Sequence, residues 1–384
     1  MGILKRRRSA TGAAAVELGR RREAALPLRS AHFGTAELEL YDAMREAVPI
    51  IDAAIAKTVR LIGEFHVQCS DSAAQFGLES FLQEVKVGPA SQGIAAFLTA
   101  YLDSLLTYGT AAGEIVPDVS GQDIGALYVA DLKVLEFEQG ENPLQVDIFV
   151  RDGGERRRVS KQGLILLTAL NPEPGQATGR SLLRGLPFVS SVLMKIFNSI
   201  GINWERMGNA RFAVTCKGEG NEYASAGERA AVIADAWQKA MSDSSEVRDF
   251  VAVGDVEIKV IGADNPVLDS AVPVQQLLEQ IVAKTGLPPF MLGLSWSSTE
   301  RMSAQQADML TSELDYYRTL VTPVLRKICR TWLAMNGYAC TVELAWDAIN
   351  LQDEVELAKA ELYRAQAKKL EEELGGNEAC RQVM

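Results

Sequence analysis

TGLPPFMLGLSWSSTERMSAQQADML, residues 285–310, separates two segments of helical periodicity, and its first fifteen positions carry no charged side chain. Pro288 and Pro289 are expected to end the preceding helix, because proline removes a backbone donor and crowds the preceding turn. Ser303 is predicted to begin a new helix of about thirty residues. A loop of this composition should either be buried or contact another molecule. Its large apolar side chains are Phe290, Met291, Leu292, Leu294 and Trp296.

Three long helices are predicted around this loop. Residues 182–206 have few charges on any face and predict a helix of about 36 Å that packs against neighbours on both flanks. Residues 266–284 form the helix that leads into the loop. Residues 303–336 form the helix that follows it, with acidic residues mostly in its first half and basic residues in its second, as the helix dipole favours. Pro323 is expected to kink this last helix.

Between the first two long helices, residues 211–262 predict a small βαβ-type insert. RFAVTCKG indicates a strand, SAGERAAVIADAWQKAM an amphipathic helix, and DFVAVGDVEIKVIG an alternating strand. An insert of about 50 residues is small for an isolated domain and would gain from packing on copies of itself. The expected core residues are Val232, Ile233, Trp237, Val256 and Ile258.

The preceding part of the chain predicts an α+β unit. Helical spacing occurs over 40–62 and 91–107, and from 111 to 170 several strands are separated by turn sequences such as QGENP and DGGE, which favours a mostly antiparallel sheet. NPEPGQATGRSLLRG, residues 171–185, marks a boundary. A strand over 340–346 and a charged helix over 351–374 follow the last long helix.

Charge is distributed unevenly along the 384 residues. The first 30 residues hold eight Lys and Arg against two Glu, a net charge of +6, which leaves −17 for the remainder of a chain with a total of −11. The acidic remainder argues against a protein that coats nucleic acid through a basic face. The basic arm is expected either to meet nucleic acid or an acidic partner, or to be only a solvated terminus.

Cysteine usage and hydropathy predict a soluble intracellular protein. An odd number of cysteines without CxxC spacing suits a reducing compartment and gives no zinc signature. No apolar run is expected to reach the length of a membrane span, and no apolar segment of the secretory type follows the first basic residues. The cysteines are Cys69, Cys216, Cys329, Cys340 and Cys380.

Motifs that carry catalysis are missing from the sequence. It contains no phosphate-binding GxxxxGK[ST], no dinucleotide-binding GxGxxG, no HExxH and no GxSxG. The two histidines are His32, in a polar stretch, and His66, three residues before Cys69. His66 and Cys69 could share a helix face, but a strand-end or core histidine is the favoured interpretation. We therefore expect no catalytic residues, no metal and no cofactor.

The order of these parts resembles the portal proteins of tailed bacteriophages. Three segments carry the resemblance, GRSLLRGLPFVSSVLMKIFNSIGINWERMGNARFAV, QQLLEQIVAKTGLPPFMLG and SAQQADMLTSELDYYRTLVTPVLRKI. The resemblance covers residues 40–370 in architecture and 180–335 at the level of residues. The most specific part is the step through GLPPFMLG to a helix that contains TLVTPVL.

The resemblance implies an α+β portal-type subunit with a β-rich wing, two long stem helices, a small α/β clip insert, a tunnel loop and a long kinked helix. Such subunits assemble as a ring. The implied parts are a basic flexible arm (1–39), the wing (40–180), the first stem helix (181–210), the clip (211–263), the second stem helix (264–286), the tunnel loop (287–302), the long kinked wing helix with a strand (303–350) and a short crown (351–384).

The function implied by the resemblance is structural. A dodecameric ring at one vertex of the capsid would carry double-stranded DNA in and out without sequence specificity. Its partners would be the major capsid protein, the large terminase subunit and then the head–tail adaptor, and it would assemble in the cytoplasm of the host bacterium without a membrane. In the tunnel loop, the apolar residues would face the channel or DNA. Glu300 and Arg301, near the base of the next helix, could pair between subunits.

Alternatives remain open from the sequence. The loop could instead fold onto its own helix and fill a gap. The chain could be another ring-forming connector or adaptor of a virion, although adaptors are usually smaller. It could also be an enzyme that binds a nucleotide through 211–262, or a basic DNA-binding protein that acts through its N-terminal arm.

Overall fold

The computed structural model describes the chain from Thr35 onward in several ranges, and its residue contacts divide the chain into two compact units. The first unit is Met1–Ser190 with Leu278–Met384, and the second is Ser191–Leu277. The described residues are 35–140, 145–152, 155–208, 211–216, 231–232, 234–235, 256–261, 270–294, 300–349 and 366.

The first unit begins with four helices and one strand. The helix predicted over 40–62 is two helices, α1 (Thr35–Ala47) and α2 (Pro49–Leu61), because Pro49 has no backbone donor and starts a helix instead of continuing one. Strand β1 (Phe65–Cys69) and helix α3 (Ser72–Glu84) follow. The predicted helix over 91–107 is α4 (Ile94–Tyr108), which ends at a left-handed Gly109.

Helix α4 packs on a three-stranded antiparallel sheet and forms the centre of the first unit. The sheet has the order β3–β2–β7, with β2 at Thr110–Pro117, β3 at Ile124–Val129 and β7 at Ile165–Ala169. The buried hydroxyl of Tyr101 on α4 lies 2.9 Å from Thr168 Oγ1, which joins the helix to the edge strand. Buried apolar side chains of this layer include Phe97, Leu102, Leu105, Leu106, Ala112, Ile115 and Leu166.

A second antiparallel sheet contains β4 (Leu135–Gln139), β5 (Val146–Asp152) and β6 (Glu155–Arg158), in that order. The antiparallel pairing agrees with the sequence prediction, but the strands form two sheets. ALYVADLKVLEFE is divided by a 3-10 turn at Leu132–Val134, where the side chain of Asp131 accepts a hydrogen bond from the backbone of Lys133.

A two-stranded antiparallel sheet joins the first and the second sequence segment of the first unit. β1 pairs with β10 (Val342–Trp346), so that Phe65 lies opposite Trp346 and Cys69 opposite Val342. His66 lies on β1, as a strand histidine, but it is exposed and its Nε2 is 3.0 Å from Asp347 Oδ1. Of the two environments expected for His66, the end of a strand is correct and the core is not. A shared helix face with Cys69 is also wrong, because residues three apart on a strand point to opposite sides.

Helix α7 (Glu300–Met335) is the longest helix among the described residues, and it begins three residues before the predicted Ser303. Its buried stripe follows helical spacing, and Pro323 lies inside it without ending it. The stripe packs against α3, β7 and β10. It contains Ala307, Leu310, Leu314, Tyr317, Val321, Leu325, Ile328 and Trp332.

The second unit contains most of helix α5 (Leu186–Gly208), strands β8 (Arg211–Cys216) and β9 (Val256–Ile261), and the first part of helix α6 (Ala271–Thr285). The strands pair antiparallel, with Val214 opposite Ile258. A βαβ unit needs parallel strands and a crossover, so the predicted βαβ topology is wrong for this pair. Residues 231–232 and 234–235 are helical, as predicted. The N-terminal residues 1–34 and nearly all of the predicted helix over 351–374 lie outside the described residues.

Candidate functional site

The start of α5 is fixed by a short strap, residues 179–183, that crosses the end of α4. Its backbone and side chains bond to groups on α4, β2 and the residue after β7. Gly179 N donates to Thr110 Oγ1 at 2.9 Å, Arg180 N donates to the carbonyl of Leu170 at 2.7 Å, Ser181 Oγ donates to the carbonyl of Thr107 at 2.5 Å and Leu182 N donates to the carbonyl of Leu106 at 3.1 Å. The first turn of α5 is therefore held by the core of the first unit.

The strap needs glycine where it passes α4. A Cβ atom at Gly179 would lie 2.0 Å from the carbonyl oxygen of Gly109, and one at Gly109 would lie 2.2 Å from the carbonyl carbon of Arg180. Both contacts are far shorter than van der Waals distance, so neither position accepts a side chain without a backbone shift. The sequence indicated only a boundary here, and the one glycine in QATGRS, Gly179, was the available signal.

Beyond its first two turns, α5 is poorly covered by its own chain. Leu186, Ser190 and Leu193 are buried, whereas no residue from 194 to 205 is. Phe197 is 47% exposed and Trp204 is 68% exposed. Large apolar side chains on a soluble helix normally face a core, so this helix lacks a partner surface within the described part of its chain.

Residues Leu186–Glu205 are also long and apolar enough to cross a membrane, by length and composition alone. The expectation that no apolar segment reaches this length is therefore wrong. The sequence estimate missed it because Asn, Ser and Gly residues interrupt the apolar run without adding charge. A single such helix is weak support for a membrane span, because helices that pack in soluble proteins have the same composition.

The first half of the apolar loop is folded against the first unit. A 3-10 helix, Pro289–Leu292, follows α6, lies against α2, and ends at a left-handed Gly293. Leu287 is 1% exposed and anchors this turn, whereas Phe290 is 48% exposed. Met291, Leu292 and Leu294 are half-buried. Part of the predicted tunnel loop is thus a packed turn, but it lies on α2 and not on its own helix. The place of the rest of the loop stays a prediction.

The remaining predicted loop residues are described in part or not at all. Trp296 lies outside the described residues. Glu300 and Arg301 belong to the first turn of α7, but their side chains are not described, so their pairing between subunits stays a prediction.

For the predicted insert core, Val256 and Ile258 lie on β9, and Ile233 and Trp237 lie outside the described residues. Val232 is 69% exposed among the described residues, and its place in the core of the insert stays a prediction. Its place on a helix was predicted correctly, but periodicity alone cannot say which face a neighbouring molecule covers.

Arg318 makes a contact between distant segments that the sequence analysis did not predict. It is 6% exposed, and its Nε and Nη2 donate to the carbonyl of Ile62 at 2.8 and 2.6 Å. This bond joins the middle of α7 to the end of α2. The basic side chain was attributed only to the charge order of the helix, because nothing in the local sequence reveals a partner 256 residues away.

The described residues give little support for catalysis. No group of three or more His, Cys, Asp and Glu side chains within them could hold a metal ion. A groove of about 730 Å³ lies between α2, β1, α3 and α4, and its lining includes His66 and Glu79. The imidazole of His66 is already within 3.0 Å of Asp347. Cys69, the possible partner of His66 in the sequence analysis, is not among the residues that line the groove.

Comparison with known proteins gives a fold and no sequence family. No protein-family model matches the sequence, and no curated protein matches it. A chain in the virion of a native gene transfer agent particle aligns with a TM-score of 0.62 and 16% identity, over 86% of this chain and 89% of that one. A chain in the neck of the native particle, computed with C12 symmetry, aligns with a TM-score of 0.56 and 17% identity, over 84% and 89%.

A weaker alignment involves the crystal structure of an HK97-family phage portal protein from Corynebacterium diphtheriae, with a TM-score of 0.42 and 12% identity over 79% of this chain and 94% of that one. This score is too low to establish a common fold. The alignments with the gene transfer agent chains show that this chain has their fold, which mixes helices and sheets as the sequence predicted.

Proposed function

We propose that this chain is the portal subunit of a tailed-phage-like particle. About twelve copies form a ring at one capsid vertex, through which double-stranded DNA is packaged and ejected. The ring docks the packaging terminase and later the head–tail adaptor, and it does no chemistry itself. Assembly takes place in the cytoplasm of the host bacterium.

The observation that carries this proposal is the uncovered apolar surface of α5. From Met194 to Glu205, where side-chain burial is described, the helix buries no residue in its own chain, although Phe197 and Trp204 are large and apolar. Helix α6 has a similar exposed first half, in which Val272 is uncovered. In a head-to-tail ring, each copy offers two different flanks, and both flanks of such helices become covered. A monomer would leave this surface in water.

The number of copies and the place in the particle are proposed from the similarity of this fold to that of chains in the gene transfer agent particle. The neck of the gene transfer agent particle was computed with C12 symmetry, and its chain shares this fold. In a twelve-membered ring, strands β8 and β9 of the insert would also lie next to the same strands of adjacent copies. That agrees with the exposure of Val232, which a second copy would cover.

The charge of the chain fits a channel that holds DNA weakly. Outside the first 30 residues the net charge is −17, so the protein lacks the excess of Lys and Arg that neutralises phosphates. DNA could then pass without being retained and without sequence reading. In this proposal, the second half of the tunnel loop, from Leu294 to Arg301, is the part that reaches the channel, while Leu287 fixes its base.

The decisive experiment is native mass spectrometry of the purified protein with negative-stain imaging. A ring of about twelve copies with a central hole is the expected result. A compact dimer or tetramer without a hole would overturn the proposal. If only monomer is found, co-expression with the capsid protein of the same particle decides, because a chain that stays monomeric there is not a portal subunit.

Two other functions can be tested on the same preparation. A nucleotide-binding enzyme predicts that millimolar ATP or NAD raises the melting temperature, which the portal proposal does not. A DNA-binding protein that acts through its basic arm predicts strong, salt-dependent DNA binding by the monomer, which deletion of residues 1–30 would abolish.

A further inference from the structure

A basic surface lies on the outer face of the second half of α7. Its cations are Arg326, Lys327 and Arg330, which line a hollow of about 600 Å³, and no acidic residue is among the described residues that line it. The Nζ atom of Lys327 donates to the carbonyl of Ile165 at 2.8 Å, so this ammonium group is held in place but not neutralised. Arg326 and Arg330 make no ion pair with a described residue. Three positive charges therefore lie together on a chain whose net charge is −11.

This arrangement of cations is unfavourable in a lone chain. Arg326 and Arg330 are four residues apart and lie side by side on one face of the helix, where like charges repel each other. The helix dipole favours basic residues only in the last turn, and Arg330 is already five residues from the end of α7 at Met335. The dipole therefore does not account for the cluster, and an acidic partner surface would.

An acidic surface of the same chain lies where α1, α2 and α4 meet, around a hollow of about 620 Å³. Arg45 is the one cation among the described residues of its lining, and it bonds to Asp52 and Asp103. Glu46 is exposed and makes no ion pair with a described residue. With Asp42 included, the lining has four carboxylates against one guanidinium, a net charge of −3 that matches the +3 of the basic surface.

The two surfaces do not neutralise each other within one copy, because they lie near opposite ends of β7. Lys327 bonds to Ile165, the first residue of β7. Tyr108, on the acidic surface, is two residues before Thr110, which pairs with Ala169, the last residue of β7. The rise over four strand residues is about 13 Å, which exceeds the Debye length of about 8 Å at physiological ionic strength. The charges of the two surfaces are therefore screened from each other in a single chain.

We propose that the basic surface of one copy contacts the acidic surface of the next copy in the ring. This inference rests on the proposed portal function, and it names the two surfaces of the first unit through which adjacent subunits pair. A head-to-tail ring needs two different surfaces on each copy. Surfaces of opposite charge meet that need, and the repulsion of like surfaces disfavours a closed dimer that pairs either surface with itself.

The test is charge reversal followed by native mass spectrometry of the full-length protein. Arg326→Glu with Arg330→Glu should reduce the rings to below about a tenth of the wild-type amount, because acidic side chains then face the acidic surface. Glu39→Lys with Glu46→Lys should have the same effect, since both residues are exposed and lie about two turns apart on one face of α1. All four substitutions together should restore the rings, because the contact is then only reversed in sign.

Lys57→Glu with Arg60→Glu is the matched control for the arginine variant. Both residues are exposed on α2, and the two substitutions change the net charge by the same amount. Rings of this variant should persist at the wild-type level. Each variant should also retain the circular dichroism spectrum of the wild type, since none of the substituted side chains is buried.

The outcomes separate this inference from the portal proposal. A wild type that forms no ring overturns the portal proposal, and the inference with it. Rings that persist in the arginine variant, or a fourfold variant that does not recover them, overturn only the contact between these two surfaces. Intact rings whose particles retain less DNA would assign the basic surface to phosphates, which also overturns the contact.

Discussion

The side chain of Arg318 is bonded to the backbone carbonyl of Ile62 and so links the two sequence segments of the first unit. The guanidinium of Arg318 donates twice to one backbone carbonyl, and that carbonyl follows the last residue of α2, where the helix dipole is negative. The same side chain lies 5.1 Å from the ring of Trp346 and 3.3 Å from Asp315 Oδ1. One residue of α7 therefore contacts α2 and β10 together.

Arg318→Ala should lower the free energy of unfolding by about 3 kcal/mol, because it removes two charge-assisted bonds and leaves a buried carbonyl without a donor. Arg318→Lys keeps the charge but not the forked geometry and should lose roughly half as much. Urea unfolding followed by tryptophan fluorescence measures both. A loss below about 1 kcal/mol for the alanine variant would show that water replaces the guanidinium.

Gly179→Ala should prevent folding or cost more than about 4 kcal/mol, because its Cβ would meet the carbonyl oxygen of Gly109 at 2.0 Å. Gly163→Ala is the matched control, since nothing lies within 4 Å of its Cβ. Soluble yield and thermal unfolding compare them. Equal stability of the two variants would show that the strap moves aside, and that it does not fix the first turn of α5.

Phe197→Ser and Trp204→Ser should abolish the ring while leaving the melting temperature of the monomer unchanged, because both side chains are exposed in the single chain. Leu193→Ala, at a buried position on the same helix, should lower the stability of the monomer by about 3 kcal/mol. Native mass spectrometry and calorimetry separate the two effects. Rings that persist in both serine variants would place the subunit contact elsewhere.

Phe290→Ala and Trp296→Ala should leave ring assembly intact and change DNA packaging or retention, since Phe290 is half exposed and Trp296 lies in the proposed channel part of the loop. Leu287→Ala should instead destabilise the subunit by about 3 kcal/mol. The readouts are ring formation and the amount of DNA protected in particles. Failure of the ring in the Phe290 variant would make this residue structural.

Alkaline pH should weaken the fold partly through Cys329. Its folded-state pKa is raised by burial to about 12, so its contribution to stability is present below the ordinary thiol pKa and is lost as the pH rises towards 12. Between pH 8 and 10.5 the wild type should lose about 2 kcal/mol more than Cys329→Ala. Urea titrations at the two pH values measure this difference. Equal losses would mean that other groups, such as tyrosines, account for the whole change.

Local patterns predicted the long helices well. The boundaries of α4 and α7 differ from the sequence expectation by only a few residues, because apolar spacing and helix-ending residues act within a turn or two. Contacts between distant segments were not predictable in this way. The pairing of β1 with β10 and the bond from Arg318 to Ile62 join residues more than 250 positions apart, and neither side carries a local signal.

In the candidate site, too, local features were predictable from the sequence and contacts between distant segments were not. The low charge of α5 and the apolar loop were visible in the sequence. Most of α5 proved to be uncovered by its own chain, whereas the first half of the loop proved to be a packed turn. Which half of the loop packs on α2 depended on tertiary contacts, as did the exposure of Val232. A residue that packs on a neighbouring copy has the same periodicity as one that packs in its own core, so periodicity alone does not distinguish the two environments for Val232.

The division of the chain into two units has a further consequence for how such a protein can diverge. The chain leaves the first unit after Ser190 and re-enters it at Leu278, so the second unit is an insertion into the first. The segments of the first unit on either side of this insertion are joined by the pairing of β1 with β10. The inserted segment can lengthen, shorten or be exchanged without altering this pairing. One continuous stretch of the gene, codons 191 to 277, could thus be exchanged while the strand pairs of the first unit stay the same.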